Sequence, residues 1–328
     1  MEYVTLANSD LVISRLALGC EPLGSTDWGD VDASLTFDAV VRALELGINT
    51  FDTADIYGLG RSERVLSQAL GSRRHDAVII SKFGVNWTEN PNGGRARTYF
   101  DARPQRVVEA LESSLRRLRI GCIPLYLIHR PDPRTPIHET MIALRRCQEA
   151  GKIKYCGVSN FSAQGIREAH RIFPLTAVEI QYSLIERRPE QDTLPCCQEL
   201  GISVLAYGSL GQGLLTGKYG IDARFGRNDR RHRLPHFQGR NLQENLRKVA
   251  RLRKISEYYS KSPAQVAVRW VLENSAIAGA IVGAKNSEQV EENVGALGWQ
   301  MRQKQRRYLI DGRPLSKFKE VVRTPNDY

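Results

Sequence analysis

Short apolar runs of β-like composition alternate with helical patterns along this chain, and the alternation repeats eight times. A hairpin signal comes first: Tyr3-Val4-Thr5-Leu6, a polar turn at Ala7-Asn8-Ser9-Asp10, then Leu11-Val12-Ile13. The repeat begins with Leu16-Ala17-Leu18 and a helix over 32–46, in which Phe37, Val40, Val41 and Leu44 share one face. A run at 48–52 precedes a helix at 61–70, and a run at 77–82 precedes one at 104–118, opened by Pro104 at a position that suits a first helical turn. Runs at 124–129, 155–159 and 178–181 lead to helices at 137–150, which Gly151 caps, 162–171 and 190–200. The run at 203–207 leads through a long excursion to helices at 241–259 and 263–274, and 280–283 is followed by a helix over 287–295. Strict alternation predicts parallel strands joined by right-handed crossovers, and eight units predict a (β/α)8 TIM barrel. The expected organisation is one domain over 1–328, with the hairpin at 1–13 and a C-terminal extension at 300–328.

The other architecture open to such a pattern is a doubly wound sheet, which carries G-x-G-x-x-G after its first strand. Leu18-Gly19-Cys20-Glu21-Pro22-Leu23-Gly24 does not match it. Gly217-Lys218 is followed by Tyr219 and preceded by Gln212 at the wrong place, so the P-loop pattern fails as well. Glycines at 208, 211, 213 and 217, after the seventh run, instead fit the phosphate-binding loops of barrels. Two connections are unusually long: 83–103, with Trp87, Tyr99 and Phe100, and 208–240, with Phe225 and Phe237. Both follow strands, so both belong at the C-terminal mouth, where they predict a deep, partly aromatic pocket.

No apolar run approaches the roughly 20 residues needed to cross a bilayer, and Met1-Glu2-Tyr3-Val4-Thr5 does not open a signal peptide. The expectation is a cytoplasmic protein without a membrane partner. Cys20, Cys122, Cys147, Cys156, Cys196 and Cys197 include no C-x-x-C pair, so reduced thiols are expected and no metal site. The net charge of +11 is spread along the chain without interleaved aromatic motifs, which argues against nucleic acid. Its densest stretch is 224–233, with Arg224, Arg227, Arg230, Arg231 and Arg233 around Asp229. That stretch reads either as a solvated loop or as a mobile cover over an anionic ligand such as a phosphorylated cofactor.

Four side chains stand where apolar runs give way to loops: Asp52, Lys82 and His129 at run ends, and Tyr57 in the loop after Asp52. On parallel strands they converge on one face. A phenol titrates near 10 and is a slow proton donor at neutral pH. A neighbouring ammonium is expected to lower that value, and a carboxylate to hold the ammonium in place. His129 then orients a substrate oxygen toward Tyr57, giving a proton-transfer site for a carbonyl.

These residues lie within longer motifs: Gly47-Ile48-Asn49-Thr50-Phe51-Asp52-Thr53-Ala54-Asp55-Ile56-Tyr57-Gly58, Ile80-Ser81-Lys82-Phe83-Gly84, Leu125-Tyr126-Leu127-Ile128-His129-Arg130-Pro131 and 151–161. Through them the chain resembles the aldo-keto reductases, from the hairpin to about Trp299, in the branch related to potassium-channel beta subunits and longer-loop bacterial members. The resemblance implies hydride transfer from a nicotinamide cofactor to an aldehyde or ketone, with Tyr57 as acid and Asp52, Lys82 and His129 assisting. It also implies that Ser159, Asn160 and Gln181 contact the nicotinamide amide, with Tyr207 stacking on the ring. Ser209, Leu210, Gly213 and Lys218 would follow the pyrophosphate, and Gly283, Lys285, Gln289, Glu292 and Asn293 the adenosine and 2′-phosphate. Many members carry Lys at position 283 and Arg at 289, where this chain has Gly283 and Gln289. NADPH is expected ahead of NADH, with Lys285 and the 224–233 arginines supplying the missing charge. Trp28 and Trp87 are expected to line the substrate pocket. The alternative function is a cofactor-binding regulatory subunit of a membrane channel, which the lack of an extended segment before the hairpin disfavours.

Overall fold

The computed structural model describes residues 1–25, 27–89 and 96–312. Eight strands close into a parallel barrel in sequence order. They are β1 (Leu16–Gly19), β2 (Thr50–Asp52), β3 (Val78–Phe83), β4 (Ile123–Ile128), β5 (Ile153–Ser159), β6 (Ala177–Gln181), β7 (Ser203–Tyr207) and β8 (Ile277–Gly283). Closure is made by β8 on β1, Ala280 to Gly283 against Leu16 to Gly19. The first six crossovers are α1 (Ala33–Glu45), α2 (Arg61–Leu70), α3 (Pro104–Leu118), α4 (Ile137–Glu149), α5 (Ala163–Ile172) and α6 (Thr193–Glu199). After β7 come α7 (Gly239–Tyr259) and α8 (Pro263–Leu272), and after β8 come α9 (Ser287–Val294) and α10 (Gln303–Asp311). The (β/α)8 barrel read from the alternation is the fold observed.

Strand periodicity explains the interior. Side chains at alternate positions share a face. Val78 and Ile80, Leu125 and Leu127, Ala177, Leu205 and Ile281 form one apolar cluster inside the barrel. The hairpin, Tyr3–Thr5 paired with Val12–Ser14, adds Leu6, Leu11 and Ile13 to that cluster at the end where the strands begin. Asn49 fixes it there, accepting from Ser14 N at 2.7 Å and donating to Val12 O at 2.8 Å, while Ala7 N donates to Ser203 Oγ at 2.8 Å. Full burial of Leu6 and Ile13 contributes about 1.5–3 kcal/mol each. Continuing the same inward positions by two residues reaches Asp52, Lys82, His129, Ser159, Glu179 and Tyr207. The site is therefore the top layer of the barrel's own stack.

Two expectations need correction. The 83–103 connection is not an open loop: Val85–Thr88 and Arg97–Phe100 pair as an antiparallel ribbon, with Trp87 opposite Thr98. Its strands are β-branched and aromatic, composition that favours pairing even without clean alternation. The strand read at 280–283 begins at Ile277, where the small residues Ala278 and Gly279 mask an apolar run. Of the segment expected at 300–328, Gln303–Asp311 is helix α10, and 313–328 lie outside the described residues.

The turn that carries Tyr57 depends on Gly58, at φ +59°. A Cβ there would run into the Gly24 carbonyl oxygen and lie 2.6 Å from Gly24 Cα. Gly58→Ala is expected to lower the unfolding free energy by at least about 1 kcal/mol, measured by urea denaturation, and to reduce turnover by displacing Tyr57. A variant with wild-type stability and rate would show that the loop relaxes freely.

Candidate active site

Lys82 is fully buried at the mouth end of β3 and spends its donors on one carboxylate and one carbonyl. Nζ donates to Asp52 Oδ1 at 2.7 Å, Asp52 Oδ2 at 2.6 Å and Thr53 O at 3.0 Å. Glu179, two residues before Gln181 on β6, brings Oε2 to 3.4 Å from the same nitrogen. Burial alone would discharge the ammonium, but Asp52 and Glu179 outweigh it and hold Lys82 well above the usual lysine range. Burial raises Asp52 against the pull of Lys82, and raises Glu179 much further, reinforced by the charge of Asp52. One cation thus faces two carboxyls. Asp52 is the main partner of the ammonium, because it receives both hydrogen bonds, and Glu179 is the carboxyl that burial and Asp52 push further toward its neutral form.

Tyr57 lies beside this pair, its ring centroid 5.2 Å from Lys82 Nζ. The expectation that Lys82 lowers the phenol's pKa overall is corrected here. Burial is the larger effect, the charges of Asp52, Glu21 and Glu179 add to it, and Tyr57 stands well above the usual tyrosine value despite the pull of Lys82. His129 meets the phenol ring edge-on, centroids 5.7 Å apart at 84°. Burial first, then Lys82, Arg130 and Arg230, push its imidazole well below the ordinary histidine value, so it is neutral. Its buried Nδ1 has no hydrogen-bond partner among the described residues. A protonated phenol beside a neutral imidazole can present two polar atoms to one substrate oxygen. The structure therefore brings Asp52, Tyr57, Lys82 and His129 together.

The residues matched to a nicotinamide lie on the same rim. Asn160, at φ +63°, donates to His129 O at 3.0 Å and Ser159 Oγ at 2.9 Å, and accepts from Tyr207 Oη at 2.6 Å. Burial raises the Tyr207 phenol to about 12. Gln181 lies against Gly208, whose φ of +67° starts the turn into the excursion. Ser209 is buried, donating to Ala206 O at 3.2 Å, and Gly213 at φ +91° lies near Tyr219, over which Lys218 Nζ sits at 5.3 Å. Beyond β8, Gln289 Oε1 accepts from Lys285 N at 2.9 Å, Glu292 is exposed and Asn293 is buried.

The 208–240 excursion divides between its two readings. Arg224 and Arg227 are exposed, whereas Arg230 grips Glu21 through three contacts of 2.6–2.9 Å and Arg231 is buried on Asp229. Trp28 joins this cover. It bridges to Asp229, carries Arg230 at 4.9 Å over its ring, and accepts Lys285 Nζ on its carbonyl at 2.7 Å. Trp87 stands half-buried on the ribbon. Lys285 is lowered chiefly by burial and then by Arg231, which leaves a cationic corner suited to an anion.

Sequence reasoning missed Glu179, although an acid inside the apolar run 177–181 is a visible signal. It also missed a buried polar group behind Tyr57. Glu63 on α2 accepts from Ser81 Oγ at 2.7 Å and from Arg117 Nε at 2.5 Å. Asp55 faces Arg106 Nη2 at 3.8 Å, and among the described residues neither its carboxyl oxygens nor the buried Tyr126 hydroxyl has a hydrogen-bond partner. Burial and then Glu63 push Asp55 from 3.8 up to about 8. A carboxyl raised in the folded state favours folding fully at pH below the unfolded value and loses that advantage as pH climbs to the folded one. The stability gap of Asp55→Asn over wild type should widen in the variant's favour between about pH 4 and about pH 8, then level off, in thermal melts. A gap independent of pH would show Asp55 ionised in the native protein.

Residues 15–310 match the model of the aldo/keto reductase family. Aldo-keto reductase YhdN of Bacillus subtilis is 35% identical over 302 residues, covering 91% of this chain and 89% of the relative. The aldo-keto reductase yakc [NADP(+)] of Schizosaccharomyces pombe is 34% identical over 290 residues, 87% of this chain and 84% of its own length. Among solved structures, a glycerol dehydrogenase from Gluconobacter oxydans superposes with a TM-score of 0.87 at 34% identity, covering 96% of this chain and 98% of that one. The barrel, the layer of residues at its mouth and these likenesses agree, and the chain belongs to the aldo/keto reductase family, as an oxidoreductase.

Proposed function

We propose that this chain is an NADPH-dependent reductase of an aldehyde or ketone, with Tyr57 as the proton donor. The observation that carries the reading is the buried Tyr57 phenol set edge-on against a neutral His129, beside a lysine fixed by Asp52. When bound, the reduced nicotinamide supplies a hydride to the carbonyl carbon. The chain's residues deal with the oxygen. His129 orients it, and Tyr57, protonated throughout the neutral range, passes its proton to the developing alkoxide, a base strong enough to take it. Lys82 then steadies the phenolate left behind, and Asp52 keeps Lys82 charged and in place.

The residues present fit the cofactor. Ser159, Asn160 and Gln181 offer amide and hydroxyl groups at one end, with Tyr207 as the stacking ring. Ser209, Leu210, Gly213 and Lys218 line the middle of the path. Gly283, Lys285, Gln289, Glu292 and Asn293 lie at the far end, where a Cβ at Gly283 would meet nothing nearer than 3.6 Å. Gln289 is committed to the Lys285 backbone and Arg231 to Asp229 and Tyr219, so Lys285 is the cation assigned to a 2′-phosphate. The relative whose name carries NADP(+) supports that choice, and the glycerol dehydrogenase supports interconversion of alcohol and carbonyl.

Tyr57→Phe should lower turnover by about 10²-fold or more, while cofactor binding, followed by quenching of tryptophan fluorescence, stays unchanged. Turnover at the wild-type rate would remove Tyr57 from the reaction. For the cofactor, KM for NADPH should lie below that for NADH, and Lys285→Ala should raise the NADPH value by about 10-fold with little effect on NADH. A wild-type preference for NADH would overturn the assignment.

A further inference from the structure

On the outer wall of the barrel, α2 and α3 border an open concavity of about 410 Å³ lined by Arg64, Gln68, Ser113, Arg116, Arg117 and Arg119, of which Arg64, Gln68, Arg116 and Arg119 are exposed. Arg64 and Gln68 are one turn apart on α2. Ser113, Arg116 and Arg117 share a face of α3, and Arg119 is its C-terminal cap at φ +55°. Four guanidinium groups therefore converge on one concavity whose lining contains no acid.

One of the four has a carboxylate partner, and the other acids nearby are committed elsewhere. Glu63 lies buried beneath the pocket and pairs with Arg117. Glu112 pairs with Lys152, and Glu109 lies near Arg106. Among the described residues no carboxylate pairs with Arg64, Arg116 or Arg119, and the only side-chain bond of Arg116 is to Ser113 Oγ at 3.0 Å. The negative end of α3 accounts for only part of the cluster: Arg116 and Arg117 lie in its last turn and Arg119 caps it, but Arg64 comes from α2. Two carbonyls at that end already have other donors, Leu118 O from Ser67 Oγ at 2.7 Å and Arg119 O from Arg74 Nε at 3.1 Å. Arg74 adds a fifth guanidinium at the edge.

We propose that this pocket is a binding site for a small phosphate-bearing anion, distinct from the cofactor path. Planar guanidinium forks match phosphoryl oxygens two at a time. Gln68 and Ser113 add neutral donors, and the volume admits more than one phosphoryl group. The chemistry is shared by free pyrophosphate and by a phosphate ester, and the test separates them.

Inorganic pyrophosphate and a sugar bisphosphate are each titrated calorimetrically into the full chain at low salt, with and without NADPH. The expected result is one bound anion per chain in both conditions, weakened at least about 10-fold in Arg116→Gln/Arg119→Gln and in Arg64→Gln. Turnover should stay unchanged in both variants. Tighter binding of either ligand supports the site and identifies the source. Equal binding by wild type and both variants, loss of binding when NADPH is present, or displacement by single-stranded DNA that binds more tightly would each overturn the proposal.

Discussion

Everything at the mouth of this barrel depends on neutralising one buried cation. Lys82 has no access to water, and its charge is held by Asp52 from the neighbouring strand and faced by Glu179 from across the interior. Removing one partner from such a pair typically costs about 3–5 kcal/mol, because the other charge is left buried and uncompensated. β2 and β3 are thus held in register by their own charges as well as by the ladder. The loop carrying Tyr57 leaves β2 directly after Asp52, and Asp55 N is tied to Lys82 O at 3.2 Å. The position of the phenol is inherited from the ion pair.

The second constraint acts over the top. The connections after β1, β7 and β8 are joined to one another: Glu21 with Arg230, Trp28 with Asp229, and Lys285 with the Trp28 carbonyl. These links span more than 200 residues of sequence, so the cover over the mouth is assembled only when the barrel has closed. Arg231 gives it a core of its own, stacking 4.5 Å above Phe225 and bonding the Tyr219 hydroxyl at 2.5 Å.

What the sequence made legible follows from what is local. Alternate apolar runs and helical stripes depend on a few neighbouring residues, and so the eightfold repeat was readable. Asp52, Lys82 and His129 were readable because each ends a run, and a strand's end in a parallel barrel is its functional end. Glu179 was hidden because it interrupts a run rather than ending it. Asp55, Glu63 and Arg117 were hidden for a different reason: they meet only through packing of α2 on α3 and on β3. The sign of the Tyr57 shift was misread because chemistry alone sees the nearby ammonium, while burial and the surrounding carboxyls exist only in the folded chain.

The N-terminal hairpin has a consequence for proton traffic. Leu6, Leu11 and Ile13, together with the apolar rings above them, stopper the barrel at its base. Water then reaches the phenol from one side only, the side that a substrate fills. In the proposed reaction, a proton given up by Tyr57 would be restored only after the product has left the mouth, so recharging of the phenol would belong to the emptying of the enzyme and not to its loading.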